Sequence, residues 1–342
     1  MSIILALLIF SMIVIVHELG HFLLAKYNKI TVTEFSVGMG PRLLSHEWGG
    51  THYSLKLLPF GGSCMMVGED EESDEKGSFG SKSVWARISV VAAGPVFNFL
   101  LAFVLSVIIV SNIGYDDTIV NVTPGYPAAE AGMQDGDEIV KMGGSRTYVY
   151  REISLFNNFN QGRTAEVTYR RNGENYTVSI QPVKDEAGYY RYGFEKISAR
   201  AKGNVLQTIK YSYAELRYWL KATVDSLMML FRGKVGLDDM SGPVGIVGAI
   251  GDTYEANRSD GWYYVMLSMM MMSILLSVNL GVMNLLPIPA LDGGRLVFLL
   301  IEAVRGKALP QEKESMVHFI GFVLLMGLMV VVLFNDVKNI FL

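Results

Sequence analysis

Residues 3–27 have the sequence IILALLIFSMIVIVHELGHFLLAKY. The run carries no charged residue before His17 and Glu18, and a helix of this length, rising about 1.5 Å per residue, can cross the hydrocarbon core of a bilayer. It lacks both the basic start and the small-residue cleavage site of a signal peptide. We therefore predict a retained membrane-spanning helix with polar residues near its end.

These polar residues are His17, Glu18 and His21, and they form the pattern H-E-x-x-H. Side chains four positions apart share one face of a helix, so two imidazoles can bind one cation while Glu18 is turned slightly aside. A charge at the bilayer centre costs roughly 2.5–3.5 kcal/mol, and ionisable groups there normally mark a function. The alternative is a hydrogen-bonded packing cluster, but a bilayer tolerates few idle polar groups. The pattern predicts a zinc site with Glu18 as general base.

The chain has 342 residues, of which 51% are hydrophobic, and its formal net charge is −4. Such a composition suits a membrane protein with an aqueous portion. The slightly acidic balance and the absence of a basic stripe argue against nucleic-acid binding.

Four stretches are apolar and long enough to span a membrane, at about residues 3–27, 88–113, 263–286 and 316–334. Lysines and arginines are frequent between spans one and two and between spans three and four, which places both connections in the cytoplasm. Both termini and the long polar stretch between spans two and three are then expected outside the cytoplasm.

The first cytoplasmic connection has the pattern of a small sheet. Residues 31–38 and 51–58 are predicted to be short strands, and Pro59-Phe60-Gly61-Gly62 is predicted to be a turn or bulge. Non-helical backbone at membrane depth persists only where it is buried in protein or lines a wet cavity. We therefore expect this re-entrant sheet to form a wall of the active site, with Phe60, Gly61 and Gly62 as candidate substrate-binding residues.

Residues 115–202 are predicted to form a soluble α+β domain. Alternating stretches at 165–170 and 176–180 flank the turn sequence Asn172-Gly173, which predicts a hairpin. Upstream, residues 124–139 read PGYPAAEAGMQDGDEI, which resembles the turn-helix-turn-strand signature of PDZ domains associated with proteases.

Residues 203–261 contain an amphipathic helix. Apolar residues recur every three or four positions, at Val205, Ile209, Tyr213, Leu216, Leu220, Val224, Leu227 and Phe231. This stripe either packs on the PDZ-like domain or lies on the outer membrane surface, and Trp219 with the nearby tyrosines slightly favours the membrane.

A catalytic zinc takes three protein ligands and keeps one position for water, so a third ligand is needed. Residues 284–295 read NLLPIPALDGGR, where Asp292 follows a helix end broken by proline and precedes two glycines. In the predicted topology, both the H-E-x-x-H motif and Asp292 lie at the cytoplasmic ends of their spans. Asp292 is therefore the candidate third ligand.

Taken together, these motifs resemble the site-2 protease family of intramembrane metalloproteases, and more closely its bacterial members of the sigma-E regulator type. The likeness also includes VGMGP at 37–41, AGPVFN at 93–98 and SGPVGI at 241–246. It implies four membrane helices, a re-entrant β-sheet and an inserted extracytoplasmic PDZ-like domain. The expected divisions are 1–114, 115–202, 203–261 and 262–342.

The resemblance also implies a function. The expected activity is zinc-dependent hydrolysis of peptide bonds within single-span membrane proteins in the bacterial inner membrane, with Asn284 holding the extended substrate backbone. The substrates would be anti-sigma-factor-like proteins or signal-peptide remnants, and the partners would include membrane lipid. The alternatives are a PDZ-like adaptor without catalysis, which should have lost one of the four site residues, and an ion transporter, which predicts inverted repeats that the sequence lacks.

Overall fold

The structure is a computed structural model that describes residues 1–69, 73–197, 200–234, 236 and 241–341. The helices are α1 (Ser2–Tyr27), α2 (Val84–Ile113), α3 (Pro127–Glu130), α4 (Tyr150–Phe159), α5 (Val205–Phe231), α6 (Pro243–Arg258), α7 (Trp262–Asn284), α8 (Asp292–Arg305) and α9 (Gln311–Phe341). The strands are β1 (Val32–Trp48), β2 (Thr51–Met66), β3 (Ile119–Val122), β4 (Asp137–Met142), β5 (Ser145–Arg146), β6 (Ala165–Arg171), β7 (Glu174–Ile180), β8 (Val183–Lys184), β9 (Tyr190–Arg191) and β10 (Phe194–Lys196).

Four helices in the described part of the chain are long and apolar enough to cross a membrane, at Ser2–Tyr27, Val84–Ile113, Trp262–Asn284 and Glu312–Lys338. They correspond to the four predicted spans, and the last extends beyond its predicted bounds at both ends. The sequence pattern did not predict α6 and α8. Three glycines in α6 and a Gly-Gly pair at the start of α8 weaken the local helix signal.

The chain forms two compact units, one of residues Met1–Ala102 and Leu227–Leu342, and one of residues Phe103–Ser226. We call them the membrane unit and the inserted unit. Two apolar clusters lie inside the membrane unit, one around Ile13 and Ile250 and the other around Ala25 and Val90. The domain bounds expected from the sequence remain predictions.

The strands β1 and β2 are longer than the sequence predicted. Residues 34–37 pair with 62–65 on one side and with 52–55 on the other, so the two long strands fold back into a small sheet. Residues 52–55 run parallel to 34–37 and residues 62–65 run antiparallel to them, so β2 reverses direction between residues 55 and 62, in agreement with the turn or bulge expected at 59–62. The local irregularity is real: Gly61 has φ of +80° and the pairing register shifts on either side of it.

The inserted unit contains a sheet with strand order β10-β3-β4-β6-β7, and β5 pairs with β4. Its core consists of apolar side chains from the sheet and from α3 and α4, including Val120, Ile139, Val167 and Ile153. The predicted hairpin is present as β6–β7, and Asn172 and Gly173 both take positive φ, as a tight type I′ turn requires.

Most of helix α5 belongs to the inserted unit, and it contacts the rest of that unit through polar and aromatic side chains. Glu215 accepts from Arg151 at 3.1 Å, Arg217 pairs with the buried Glu152 at 2.5 Å, and Tyr211 stacks on Tyr115. The apolar stripe is mostly elsewhere on the helix: Val205 and Tyr213 are 75% and 62% exposed. The sequence left two arrangements open for this stripe. The first, packing on the PDZ-like domain, is not observed for the first half of the stripe.

Candidate metal centre

The two histidines of the H-E-x-x-H motif lie one turn apart on α1, and both are buried. Their Nε2 atoms are 3.2 Å apart. Two protonated nitrogens would repel each other at this distance unless a third group lay between or beside them. The helical spacing read from the sequence thus brings both imidazoles to one point.

The carboxylate of Asp292 completes this point. Its Oδ2 lies 3.2 Å from His17 Nε2 and 3.4 Å from His21 Nε2. Ligands at zinc bond lengths of about 2.0–2.2 Å in tetrahedral geometry are about 3.3 Å apart. The Oδ2 atom is buried and accepts no hydrogen bond from the described residues. The set of three donors therefore fits a catalytic zinc.

Residues of α2 fix the orientation of the imidazoles. His21 Nδ1 lies 2.9 Å from the carbonyl oxygen of Val90, so this nitrogen carries the proton and Nε2 is left as a ligand. The side-chain amide of Asn98 lies 3.1 Å from His17 Nδ1, and Asn98 is fully buried. Zinc binding at Nε2 needs a proton on Nδ1, which the amide oxygen of Asn98 would accept once the amide is turned over.

Two glycines allow α1 and α2 to approach each other at the histidines. A Cβ added at Gly94 would lie 2.3 Å from His21 Nε2 and 2.7 Å from His17 Cε1. A Cβ added at Gly20 would lie 2.4 Å from the carbonyl oxygen of Ala93. The backbone of α2 at Gly94 therefore faces the two imidazoles directly, and a residue larger than glycine does not fit at this position.

Glu18 is partly buried and faces the small sheet. A Cβ added at Gly62 would lie 3.3 Å from Glu18 Cγ, so β2 passes directly beside the candidate base. Residues 62–66 pair with β1 on one side only among the described residues, which leaves the other edge of this segment open. Phe60 and Gly61 lie just before this edge, and the Phe60 side chain is outside the described part of the structure.

Asn284 is the last residue of α7, and its Nδ2 lies 3.4 Å from His17 Nε2. The predicted substrate-binding residue Asn284 is thus next to His17 in space, although 267 positions separate the two in the sequence. A short turn then leads to α8, which begins at Asp292. Added Cβ atoms at Gly293 and Gly294 would collide with the backbone of Leu286 and Ile288, so the Gly-Gly pair lets the turn fold tightly against α8.

Sequence reasoning did not assign roles to Gly94 and Asn98. Both lie in the AGPVFN segment, which was noted only for its likeness to a family. A polar Asn in an apolar span is a signal that could have indicated a ligand-orienting role. The requirement for Gly94 depends on the distance between two helices, which the sequence does not give.

The chain is similar over its whole length to a family of peptidases. Residues 5–328 match the family described as Peptidase family M50. A Clostridium perfringens relative is 36% identical over 339 residues, covering 98% of each chain. The zinc metalloprotease RasP of Geobacillus kaustophilus is 33% identical over 423 residues, covering 100% of this chain and 99% of that protein. The regulator of sigma-W protease RasP of Bacillus subtilis is 32% identical, covering 98% of each.

Among solved structures, the PDZ domain of the SdrC-like protein from Listeria monocytogenes is similar to part of the chain. It is 23% identical and covers 24% of this chain and 90% of that domain, with a TM-score of 0.22.

The family match extends over nearly the whole chain, and the class it defines is that of zinc-dependent membrane endopeptidases. The chain belongs to peptidase family M50, the site-2 protease family. The resemblance drawn from its motifs is confirmed. So are the predicted zinc cofactor and the metalloendopeptidase activity.

Proposed function

We propose that the protein hydrolyses peptide bonds within membrane-spanning segments at the centre formed by His17, His21 and Asp292. The observation that carries this proposal is the near-equal spacing of 3.2, 3.2 and 3.4 Å among the three donor atoms. It matches what a single tetrahedral zinc needs and is hard to reconcile with a packing cluster.

A zinc ion held by these side chains supplies a Lewis acid and a water whose pKa falls toward about 7. Glu18 would act there as the general base, holding a proton on its carboxylate and returning it to the amine leaving group. Val90 and Asn98 keep the imidazoles in the orientation that directs Nε2 to the centre. Gly94 keeps the space between them free of a side chain.

The first test separates the base from the ligands. Glu18→Gln should retain zinc and lose cleavage of a model single-span substrate by about 100- to 10,000-fold. Glu255→Gln, a change of an exposed carboxylate on α6, is the matched control and should cleave normally. Asp292→Ala should lose most of its zinc in metal analysis. Normal cleavage by Glu18→Gln would favour another base, and full zinc content in Asp292→Ala would reject that ligand.

We also propose that substrate binds as an added strand on the open edge at residues 62–66. A membrane helix hides its carbonyls in hydrogen bonds, so it must become extended before hydrolysis. This edge passes beside Glu18, and Asn284 beside His17 offers an amide that can hold the extended backbone. Gly61 and Gly62 lie at the start of this edge, and we assign them and Phe60 to the same substrate contact.

Crosslinking tests this mode. A cysteine in place of Met65, which is 52% exposed, is combined with Cys64→Ala and with Glu18→Gln to trap substrate. Crosslinks to cysteines scanned along the substrate should recur every second residue, because side chains alternate along a strand. A recurrence every three or four residues would mean that the bound segment is helical, and would overturn strand addition.

The sidedness and the substrates belong to the same proposal. The distribution of basic residues supports an extracytoplasmic inserted unit and cytoplasmic loops, in the bacterial inner membrane. Cysteines placed at Arg146 and Lys76 should be modified from outside the cell only at Arg146, and the opposite result would invert the topology. We propose anti-sigma-factor-like proteins or signal-peptide remnants as substrates. Membrane peptides that accumulate in cells with Glu18→Gln would identify them.

We further propose that α5 rests on the membrane surface. Its polar residues Glu215 and Arg217 pair with Arg151 and Glu152 of α4, while Val205, Leu206 and Ile209 remain exposed. A polarity-sensitive dye on Leu206→Cys in nanodiscs should report an apolar environment, and the same dye on Arg146→Cys should report water. Equal spectra at both positions would contradict membrane contact by α5.

A further inference from the structure

The turn before Asp292 contains a backbone conformation that its residue does not favour. Ala290 has φ of +76°, in the left-handed region that glycine adopts readily and alanine rarely. It lies two positions before the candidate zinc ligand. A contact that holds Ala290 therefore also fixes where Asp292 begins α8.

The hydrogen bonds of this turn show which contact holds it. Pro287 and Pro289 have no N–H. The N–H of Ile288 donates to Leu286 at 2.7 Å, and that of Leu291 donates to Ile288 at 3.2 Å, so both close local turns.

The N–H of Ala290 leaves the turn instead and donates to Nδ1 of His318 at 2.9 Å. His318 belongs to α9, so a different helix supplies the acceptor.

His318 is also unusual within α9. His318 is the only residue among 316–334 with a polar side chain, and the others are aliphatic, aromatic, methionine or glycine. Ionisable groups in membrane spans normally have a partner and a function. The ring packs beside Phe298 of α8, with centroids 5.5 Å apart.

The same face of α9 touches the turn a second time. A Cβ added at Gly321, one helical turn after His318, would lie 2.5 Å from both Cβ and O of Pro289. Helix α9 thus contacts two successive residues of the turn, by a hydrogen bond at Ala290 and by close packing at Pro289.

We infer that His318 is a positioning residue for the metal centre: by accepting the N–H of Ala290, it keeps the turn in the conformation that presents Asp292 to zinc. This inference rests on the proposed role of Asp292 as a ligand. It assigns α9 a part in metal retention, although α9 contributes no ligand itself.

The test compares two substitutions of His318 with a neighbouring control. His318→Leu keeps bulk and removes the acceptor, whereas His318→Asn retains an oxygen near the position of Nδ1. Phe319→Leu changes an exposed residue of α9 that is 66% accessible. Zinc affinity is measured by chelator competition. Exchange of the Ala290 amide is measured by hydrogen exchange of the zinc-free protein, so that one readout does not depend on activity.

We expect His318→Leu to weaken zinc binding by about 10- to 100-fold, as for other residues that orient metal ligands, and to speed exchange at Ala290. His318→Asn and Phe319→Leu should stay close to the unmodified protein. Adding Ala290→Gly to His318→Leu should recover part of the affinity, because glycine takes positive φ without strain. A general packing defect would not be rescued in this way.

Unchanged zinc affinity in His318→Leu would overturn the inference, and so would equal losses in His318→Asn and His318→Leu. If His318→Leu does not fold, the comparison passes to His318→Asn and His318→Gln, whose amide lies one carbon further out. Asp292→Ala separates the two levels. Zinc loss in Asp292→Ala with none in His318→Leu refutes only the role of His318, whereas full zinc in Asp292→Ala refutes the ligand assignment itself.

Discussion

The membrane unit and the inserted unit differ in which polar groups they bury. The interior of the inserted unit is an apolar cluster, and its buried carboxylates Asp137 and Glu152 are each paired with an arginine. In the membrane unit the buried set includes His17, His21 and Asn98, while apolar side chains such as Leu324 are exposed. Burial of polar groups thus supports folding in both units, and in the membrane unit it also builds the candidate reactive centre.

The largest expected effect comes from closing the space between α1 and α2. Gly94→Ala should remove zinc almost completely, because the new methyl group would occupy the position of the imidazole nitrogens. Gly248→Ala is the control, since no atom lies within 4 Å of the added Cβ on α6. Metal analysis of the two purified proteins makes the comparison, and normal zinc content in Gly94→Ala would mean that the helices are further apart.

The next effect concerns the inserted unit. Arg171 donates to both oxygens of the buried Asp137 at 2.8 and 2.7 Å, and Arg171→Ala should destabilise this unit by about 3 kcal/mol because it leaves a buried charge unpaired. Arg170→Ala breaks a half-exposed pair with Glu138 and should cost less than about 1 kcal/mol. Denaturant unfolding measures both. Zinc content should not change in either, and a fall in zinc would show that the two units are energetically linked.

A carboxylate in the membrane unit provides the counterpart. Asp336 accepts N–H groups of Gly242, Val244 and Gly245 at 2.8–3.0 Å and so caps the start of α6. Asp336→Ala should destabilise the unit by about 2 kcal/mol, since buried helix donors lose their acceptor. The exposed Asp252 on α6 is the control position. Thermal unfolding in detergent is the measurement, and equal melting temperatures for Asp336→Ala and Asp252→Ala would exclude the capping role.

The smallest effect is a pH dependence in the inserted unit. Hydrogen bonding from Arg191, helped by the N–H of Tyr189, lowers the pKa of Asp185 below its usual value. A carboxyl with a lowered pKa in the folded state adds stability above its unfolded pKa and loses it as the pH falls through the folded pKa. The melting temperature of Asp185→Asn should therefore lie below that of the unmodified protein at about pH 6, and the gap should narrow as the pH falls below the unfolded pKa of about 3.9. A gap independent of pH would rule out ionisation as the cause.

The sequence predicted what depends on local spacing. The four spans, the hairpin at Asn172-Gly173 and the convergence of His17 with His21 all follow from periodicities of two, three or four residues. Asp292 was predicted as a third ligand because zinc requires one and because the expected topology placed both motifs at the same membrane depth.

What the sequence did not predict depends on distances between elements. The fold-back of β1 and β2 arises from pairing between segments that the pattern treated as separate short strands. The need for Gly94, the orienting contact of Asn98 and the bond from Ala290 to His318 each involve two helices from different parts of the chain. Pattern alone does not give such distances, because the apolar faces of membrane helices allow several pairings.

The position of Asp292 at the start of α8 has a consequence for biosynthesis. In a growing chain the two imidazoles of α1 are synthesised before the carboxylate of Asp292, the proposed third donor. The growing polypeptide should therefore hold the ion only loosely and remain inert toward neighbouring proteins in the translocation channel. Synthesis of α8 would then complete the proposed donor set.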